Sequence, residues 1–593
     1  MSRGVFNLNN KVGQVLSFQT NVTSGSTFDP TITFLSGSDR VSWDLGNGLI
    51  RAGNSLSYTF TGDTGTTKTI KLKTNRLSKL NTLRIDTDNI FGGLDLSMLS
   101  NLGGDFRINN NSSLTGITHG YSPQVFTVYD ASSCNLIGNY NLSMLPNLGG
   151  SFKINNNTSL TGVTHTASTQ VFTVYYINNC NLIGNHNLSM LSNLGGTFYA
   201  YSNSNLTGIT HTYSPQTFTQ YQLYSCNLIG NHNLSMFPNL GGSFYIQANP
   251  NLTSITHTAS TQIFTYYLAY NCNLTGNHNL SMLSNLGGVF YLYNNPNLTG
   301  ITHTYSPQIF TTFFVNNCNL TGNYNLSMLP NLGGSFRTYS NPNLTGITHT
   351  ASTRTFGEYR VNNCNLTGNL DLSMLTNLGT FFDVNGNVNL TSIKHTASTQ
   401  SFIIYYVYNC NLTGNHDVSM FPNLGGSFRT YTNPNLTGIT HTASTQIFTV
   451  YYVYNCNLTG NHDISMFPNL GGDFRIDGNP NLTNIIHTAS TRPFVYYYAN
   501  NCNLDYVDFK PLSGTTFKNS TILLNNNAMV SADVNHILDD FKNITVANPT
   551  IWSGVTLNIG GTNQDPDSSG GGYDGLSAIS TLTGSPYSWS ITY

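Results

Sequence analysis

Apolar residues recur along most of this chain at a fixed interval. In Phe264-Thr-Tyr-Tyr267-Leu-Ala269-Tyr-Asn-Cys272-Asn-Leu274, the apolar pair Tyr267 and Ala269 is spaced by two. That spacing puts both side chains on one face of a strand. The aromatic returns as Tyr129, Tyr175, Tyr221, Phe313, Tyr359, Tyr405, Tyr451 and Tyr497, each followed two residues on by Ala, Ile, Leu or Val. A second arm, Leu240-Gly-Gly-Ser-Phe244-Tyr-Ile246-Gln-Ala-Asn249-Pro-Asn-Leu252, is offset from it by 23 residues, from Phe244 to Tyr267 and again from Tyr267 to Phe290. Two arms make a 46-residue unit, and cysteines step at the same 46 from Cys134 to Cys502, histidines from His119 to His487. The pattern predicts nine units over 94–504, hence eighteen coils that bury their apolar ridges only against one another.

The flanks depart from this period. Leu83, Ile85 and Ile90 read as a degenerate first coil. After Leu504, Thr521-Ile-Leu-Leu continues the strand pattern, and Ser531 to Lys542 reads as an amphipathic helix with Ser531 as N-cap. Val555 to Ile559 predicts a last coil, followed by a Gly/Ser-rich loop and a closing strand, Tyr587 to Tyr593. Near the N-terminus, Ile32–Phe34, Val41–Leu45, Leu56–Phe60 and Lys68–Leu72 alternate with turn-rich segments, the pattern of a small antiparallel sandwich. The expected divisions are 1–76 (sandwich), 77–505 (solenoid) and 506–593 (C-terminal capping repeats).

Composition narrows the function classes. Only 8% of residues are charged and the net charge is -2, so no basic field exists to hold a nucleic-acid backbone. No apolar leader segment and no apolar run of about 18 residues occurs, which predicts neither a secretion signal nor membrane insertion. Coils about 4.8 Å apart put successive cysteines, or successive histidines, roughly 10 Å apart. That is too far for a disulfide or easy sharing of one metal. The cysteines therefore read as free and buried. The histidines, including the second set His186, His232, His278, His416 and His462, read as loop and turn residues, with a pH-sensitive edge as the alternative. No nucleophile elbow, zinc-protease motif, phosphate loop or dinucleotide fingerprint occurs, and no paired carboxylates recur. No catalytic residue, metal or cofactor is expected. Asp44 and Asp63 read as turn residues. Asp565 and Asp567 lie in a Gly/Ser-rich loop for which calcium is the alternative reading.

The second arm fits L-x-x-L-x-L-x-x-[NC]-x-L through Phe264, Tyr267, Ala269, Cys272 and Leu274, and so resembles the leucine-rich repeat family, whose periods span 20–29 residues. The resemblance implies a solenoid of parallel strands, in which Asn249, Asn295 and Asn341 bond backbone groups where the chain leaves the strand. Trp43-Asp44-Leu45-Gly46-Asn47-Gly48, with Tyr58 to Phe60 and Thr69 to Leu72, resembles a PKD-type immunoglobulin-like domain, which implies a mount. The C-terminal segment resembles the caps of leucine-rich repeat proteins from bacteria of the Bacteroidetes group and their phages.

Positions alternating with the buried ones point outward and vary between units. They bring Tyr199, Tyr245, Tyr291, Arg337, Arg429 and Arg475 from the first arm, with Tyr293, Tyr339 and Tyr431 two further on. The second arm brings Phe314, Arg360, Tyr406, Tyr452 and Tyr498, then Tyr224, Tyr270, Tyr408 and Tyr454. Tyr and Arg are enriched at binding hot spots, and flat aromatic faces suit sugar rings. The expectation is a non-enzymatic binding protein on a phage virion exterior, as a tail fibre, receptor-binding or head-decoration subunit. Its target would be a bacterial surface glycan or protein, with residues 1–76 meeting other virion proteins and the oligomeric state open. The alternatives are a bacterial cell-surface adhesin and a glycan depolymerase.

Overall fold

The computed structural model describes residues 14–22, 24–37, 39–62, 66–86 and 89–593, so Asp63 lies outside the described residues. The described residues form a β-solenoid of about 19 turns with 23 residues per coil and two α-helices. The chain divides into two compact units, Met1–Gly287 and Gly288–Tyr593.

The first unit begins with antiparallel strands. Gln14–Val22 pairs with Thr66–Thr74, which pairs with Ser42–Asp44, and that strand with Ile50–Ala52. Thr27–Phe28 pairs with Tyr58–Thr59. Trp43 is fully buried edge-on to Phe28 and donates its indole N–H to Gly53 O at 3.0 Å. Asp44 accepts from Gly46 N (3.2 Å), a turn-forming bond. Gln14–Val22 escapes the sequence pattern because its inward set, Leu16, Phe18, Thr20 and Val22, includes a hydroxyl residue.

Hydrogen-bonded pairs cross residue 76. Gln14–Val22 also pairs with Ile90–Leu96, which runs parallel to Ser113–His119. Thr31–Phe34 pairs with Leu80–Arg84, the strand that opens the long parallel sheet. The antiparallel segment is thus joined strand to strand to the first coils, and it supplies partners to backbone groups that an open sheet edge would leave unpaired.

Each coil contributes one strand to the main parallel sheet and one to the opposite side. In the first unit the main strands run from Gly104–Arg107 through Phe264–Leu268. Beyond the pair that Gln14–Val22 extends, the opposite strands pair in twos, as Gly184–Asn187 with Leu206–Thr210 and Gly230–Leu234 with Leu252–His257. The second unit repeats this, for example Thr413–Asp417 with Asn435–Thr440.

Inward positions of the main sheet stack in register. In the first unit, Phe106, Tyr129, Phe152, Tyr175, Phe198, Tyr221, Phe244 and Tyr267 form one column of fully buried rings, with neighbouring centroids 4.8 to 5.8 Å apart. Such rings bury roughly 150–250 Å² each and gain further from the contact between rings. Where the chain leaves the strand, Asn249 Nδ2 donates to Leu223 O (2.9 Å) and Ile246 O (2.7 Å), and its Oδ1 accepts from Leu228 N (3.2 Å). Asn341 repeats all three bonds. One coil on, Cys272 takes the equivalent place and donates weakly to Ile246 O and Tyr270 O.

In the second unit the sheet closes with Thr521–Leu523, Thr556–Asn558 and Ser590–Thr592. Helix α1 (Ser531–Ala547) is longer than its sequence pattern predicts, and its N-cap is Val530. Ser531 lies inside the first turn, with its hydroxyl bonded to Asp565 O at 2.9 Å, so it does not cap the helix. Helix α2 (Gly575–Thr583), capped by Asp574 accepting from Ser577 N (2.9 Å), forms where the sequence predicts a loop. Gly, Ser and Thr outnumber the apolar residues in that segment and blur its period. Trp552 and Trp589, 6.2 Å apart and nearly parallel, seal the end with Phe517 and Phe541.

Close approach of coils fixes one glycine in each unit. Gly242 has φ 64°, and a Cβ there would lie 2.0 Å from Thr219 O. The equivalent residue two coils after Gly334 is Thr380, also at positive φ (54°). One coil before it, Gly357 stands where flanking units have Thr311 and Ile403. Gly242→Ala is expected to cost more than about 2 kcal/mol. Thr380→Gly is expected to change stability little or raise it by up to about 1 kcal/mol. Urea midpoints of the two variants check both signs.

Candidate functional site

The rings of both histidine ladders lie inside the coils; the second ladder falls in strands, which corrects its reading as loop residues, whereas most of the first ladder follows a strand end, as expected. The strand following each Gly-Asn pair turns every second residue inward, so His186, His232, His278, His416 and His462 are 4 to 5% exposed. His257 Nε2 lies 2.9 Å from Tyr267 Oη, and Tyr267 Oη lies 2.8 Å from His278 Nε2. The same bridge joins His211, Tyr221 and His232 at 2.9 and 2.8 Å. It recurs in the second unit as His395–Tyr405–His416 and His441–Tyr451–His462. A hydroxyl has one proton to give, so the two imidazoles on it cannot both accept and at least one of them donates. His211 Nδ1 is buried without a partner, and an unmet lone pair costs less there than an unmet N–H. His211 therefore donates Nε2–H to Tyr221, whose O–H donates to His232 Nε2.

Exceptions to the ladder keep the bond. Phe313 lacks the hydroxyl, and Tyr324 supplies it to His303 at 2.8 Å. Leu370 replaces the second imidazole, and Tyr359 still reaches His349 at 2.9 Å. Tyr129 and Tyr140 both reach His119. Burial holds the imidazoles neutral: His257 falls from 6.5 to about 3 and His278 to about 4, chiefly by desolvation. These rings therefore form no titrating edge.

The nine cysteines are unpaired and buried, and desolvation raises their thiols, Cys272 to about 12. Among the described residues no three His, Cys, Asp or Glu side chains gather as a metal-holding group, and no helix is long and apolar enough to cross a membrane. Asp567 accepts from Ser569 N (2.8 Å), Gly570 N and Asn535 Nδ2 (2.9 Å), so its loop is a hydrogen-bonded turn against α1.

All eighteen outward residues singled out from the sequence lie half-buried on the main-sheet side. In the first unit Tyr199 stacks on Tyr176 (4.4 Å, 5°) and Tyr224 on Tyr201 (4.5 Å, 6°), while Tyr245 meets Tyr266 edge-on at 5.8 Å. Tyr270 lies two residues beyond Leu268 on the same side. In the second unit Tyr291 stacks on Phe314 (4.8 Å, 7°), and Tyr293 tilts against Tyr291. Tyr408, Tyr431 and Tyr454 form a column at 4.5 and 4.4 Å, and Tyr406 abuts Tyr408. Stacking turns these rings toward one another, so they offer edges and hydroxyls outward rather than the flat faces expected for sugar stacking. Tyr339 differs, because its neighbours one coil to either side are Asn316 and Asn362 rather than aromatic residues.

The cations are laid over these rings. Arg337 covers Phe314 at 4.2 Å and binds Glu358 through Nε (2.9 Å) and Nη2 (2.8 Å). Arg360 pairs with the same carboxylate at 2.7 Å. Arg475 sits 4.3 Å from Tyr454 and 5.3 Å from Tyr498, and pairs with Asp477 at 3.2 Å. Arg429 lies between Tyr406 (4.9 Å) and Tyr452 (5.2 Å). Sequence reasoning missed Glu358 and Asp477. Glu358 was findable as the chain's only glutamate, at a position where other units carry Val, Gln, Tyr, Thr or Ile. No family model, curated protein or solved structure matches this chain.

Two outcomes follow from the buried ladder. Tyr221→Phe is expected to lower stability by about 1–3 kcal/mol. Adding His232→Tyr, the Phe313 and Tyr324 arrangement, is expected to recover most of it in a double-mutant cycle. The second concerns pH. Folded values of about 3 to 4 lie below the ordinary 6.5. The neutral core is therefore fully stabilising above pH 6.5, and that contribution is lost as pH falls toward 4 and below. Thermal melts across that window should show a falling midpoint. His416→Leu, copying Leu370, should flatten the slope.

Proposed function

We propose that the chain is a non-enzymatic recognition protein whose main-sheet face, built of tyrosine edges and arginines, holds an extended target. The observation that carries the reading is the run of Tyr, Phe, Arg and Asp residues that replace one another along that face. The inward ring is Phe or Tyr in every coil from Phe106 to Tyr497, while the outward row beside it runs Tyr291, Phe314, Arg337, Arg360, Asp383, Tyr406, Arg429, Tyr452, Arg475 and Tyr498 in strict register. Packing alone does not require Tyr or Arg there, and both are favoured where proteins bind. On this reading the coils belong to the leucine-rich type. The resemblance of the C-terminal cap favours a place on a phage virion exterior, as a tail fibre, receptor-binding or head-decoration subunit. The target is a bacterial surface glycan or protein, and the N-terminal strands face the rest of the particle.

Labelled protein is expected to bind intact Bacteroidetes host cells. Changing Tyr408, Tyr431 and Tyr454 together to Ser should reduce that binding at least about tenfold, with the urea midpoint confirming that the variant stays folded. Unchanged binding by a folded variant would remove this face as the recognition surface. Mass spectrometry of purified phage particles tests the location, since recovery from cell envelopes instead of particles points to an adhesin.

A further inference from the structure

We infer that Arg429 is the centre of a subsite for a single carboxylate carried on an otherwise neutral, hydroxyl-rich polymer, of which a uronic-acid-containing polysaccharide is the fitting class. The inference rests on the proposed recognition role of the face and narrows it to a ligand chemistry.

The arginines of the second unit's outward row differ in what they already hold. Arg337 and Arg360 share Glu358, and Arg475 has Asp477. Arg429 donates from Nε to Ser427 Oγ at 3.0 Å, and its two Nη groups meet no acceptor among the described residues. It is the arginine of this row with no carboxylate beside it. Its position is nonetheless built. Tyr406 and Tyr452 cover the two sides of the guanidinium, at 4.9 and 5.2 Å from its carbon. With a ring on either side and Nε held by Ser427, the donors left for a ligand are the two Nη groups. Two parallel N–H donors in one plane match the two oxygens of a carboxylate. Holding the fork between rings before the ligand arrives lowers the ordering cost of binding.

The surroundings set the charge density of the ligand. Asp383 lies two coils before Arg429 in the same row, and Asp473 accepts the Tyr452 hydroxyl at 3.2 Å. Carboxylates two coils to either side of one cation disfavour a chain bearing an anion at every residue. Next to Arg429 the Tyr408, Tyr431 and Tyr454 column presents hydroxyl edges at 4.4 to 4.5 Å steps along the coils. That row suits the hydroxyls of neutral sugars flanking one acidic sugar. In the first unit, Lys153 also pairs with no carboxylate among the described residues, but it meets Tyr176 on one side only, at 5.8 Å, and has no fork. It serves as the charge control.

The test is affinity electrophoresis of the whole chain in gels containing hyaluronan, in which uronate alternates with a neutral sugar. Parallel gels carry carboxyl-reduced hyaluronan, dextran sulfate and polyglutamate. Retardation by hyaluronan and not by its reduced form is expected. R429Q should weaken it at least about tenfold, R429K should remain weakened because it keeps charge without the fork, and K153Q should match the parent. Equal retardation of parent and R429Q, no retardation by hyaluronan, or equal retardation by reduced hyaluronan would overturn the inference. So would stronger Arg429-dependent retention by dextran sulfate or polyglutamate, by identifying a sulfate or acidic-peptide site. If hyaluronan fails while the triple tyrosine variant still loses cell binding, the ligand class falls and the recognition surface stands.

Discussion

Strands of a parallel sheet lie about 4.8 Å apart, and that distance governs nearly every side chain of this molecule. Each residue of a coil stands directly over its counterpart in the next, so position becomes column. A column of rings is favourable because aromatics stack near that separation, as the Phe and Tyr core and the outer Tyr408, Tyr431 and Tyr454 column do. A column of like charges is not favourable. The low charged content of the chain follows from this geometry. Where arginines do follow one another, at Arg84 and Arg107 and at Arg337 and Arg360, a carboxylate (Asp105, Glu358) pairs with both, and Tyr406 and Tyr452 flank Arg429.

The same constraint explains how a polar group is tolerated inside. A buried hydroxyl or imidazole without a partner costs stability in every coil where it recurs. Alternation of Phe with Tyr leaves one hydroxyl for every two coils, and that hydroxyl meets imidazoles from both. The substitutions at 313, 324 and 370 follow the partnership rather than residue identity. Phe313 appears with Tyr324, and Leu370 appears where Tyr359 alone suffices. Asn249 and Cys272 solve the neighbouring problem, serving backbone groups at the strand's exit with a strong and a weak donor in turn.

Much of this is legible in the residues. The 46- and 23-residue periods, the inward aromatic and aliphatic pair, the Asn ladder and the outward Tyr and Arg row are all spacing statements, and a solenoid translates spacing directly into columns. What escapes is what columns do to one another. Ring orientation on the outer face depends on the neighbouring coil, so the sequence points to exposed ring faces where the structure has edges. The second histidine set reads as loop residues because a polar residue beside Gly-Asn looks like a turn. Their partner Tyr267 meets His257 ten residues before it and His278 eleven residues after it. Neither interval belongs to a strand or helix period, so the pairing carries no visible signature. Helix α2 is missed because its Gly, Ser and Thr residues have weak helical preference, which packing on the last coil overrides.

The alternation of Phe with Tyr in the core has a consequence for how such a chain changes length. A register shift of one coil would set Phe over Phe and leave an imidazole facing no hydroxyl, whereas a shift of two coils restores every column. Gain or loss of coils is therefore tolerated in pairs. Exchange between the near-identical DNA copies that encode the units moves in the same step, so it changes the length and the outward residues of the main-sheet face while leaving the interior columns intact.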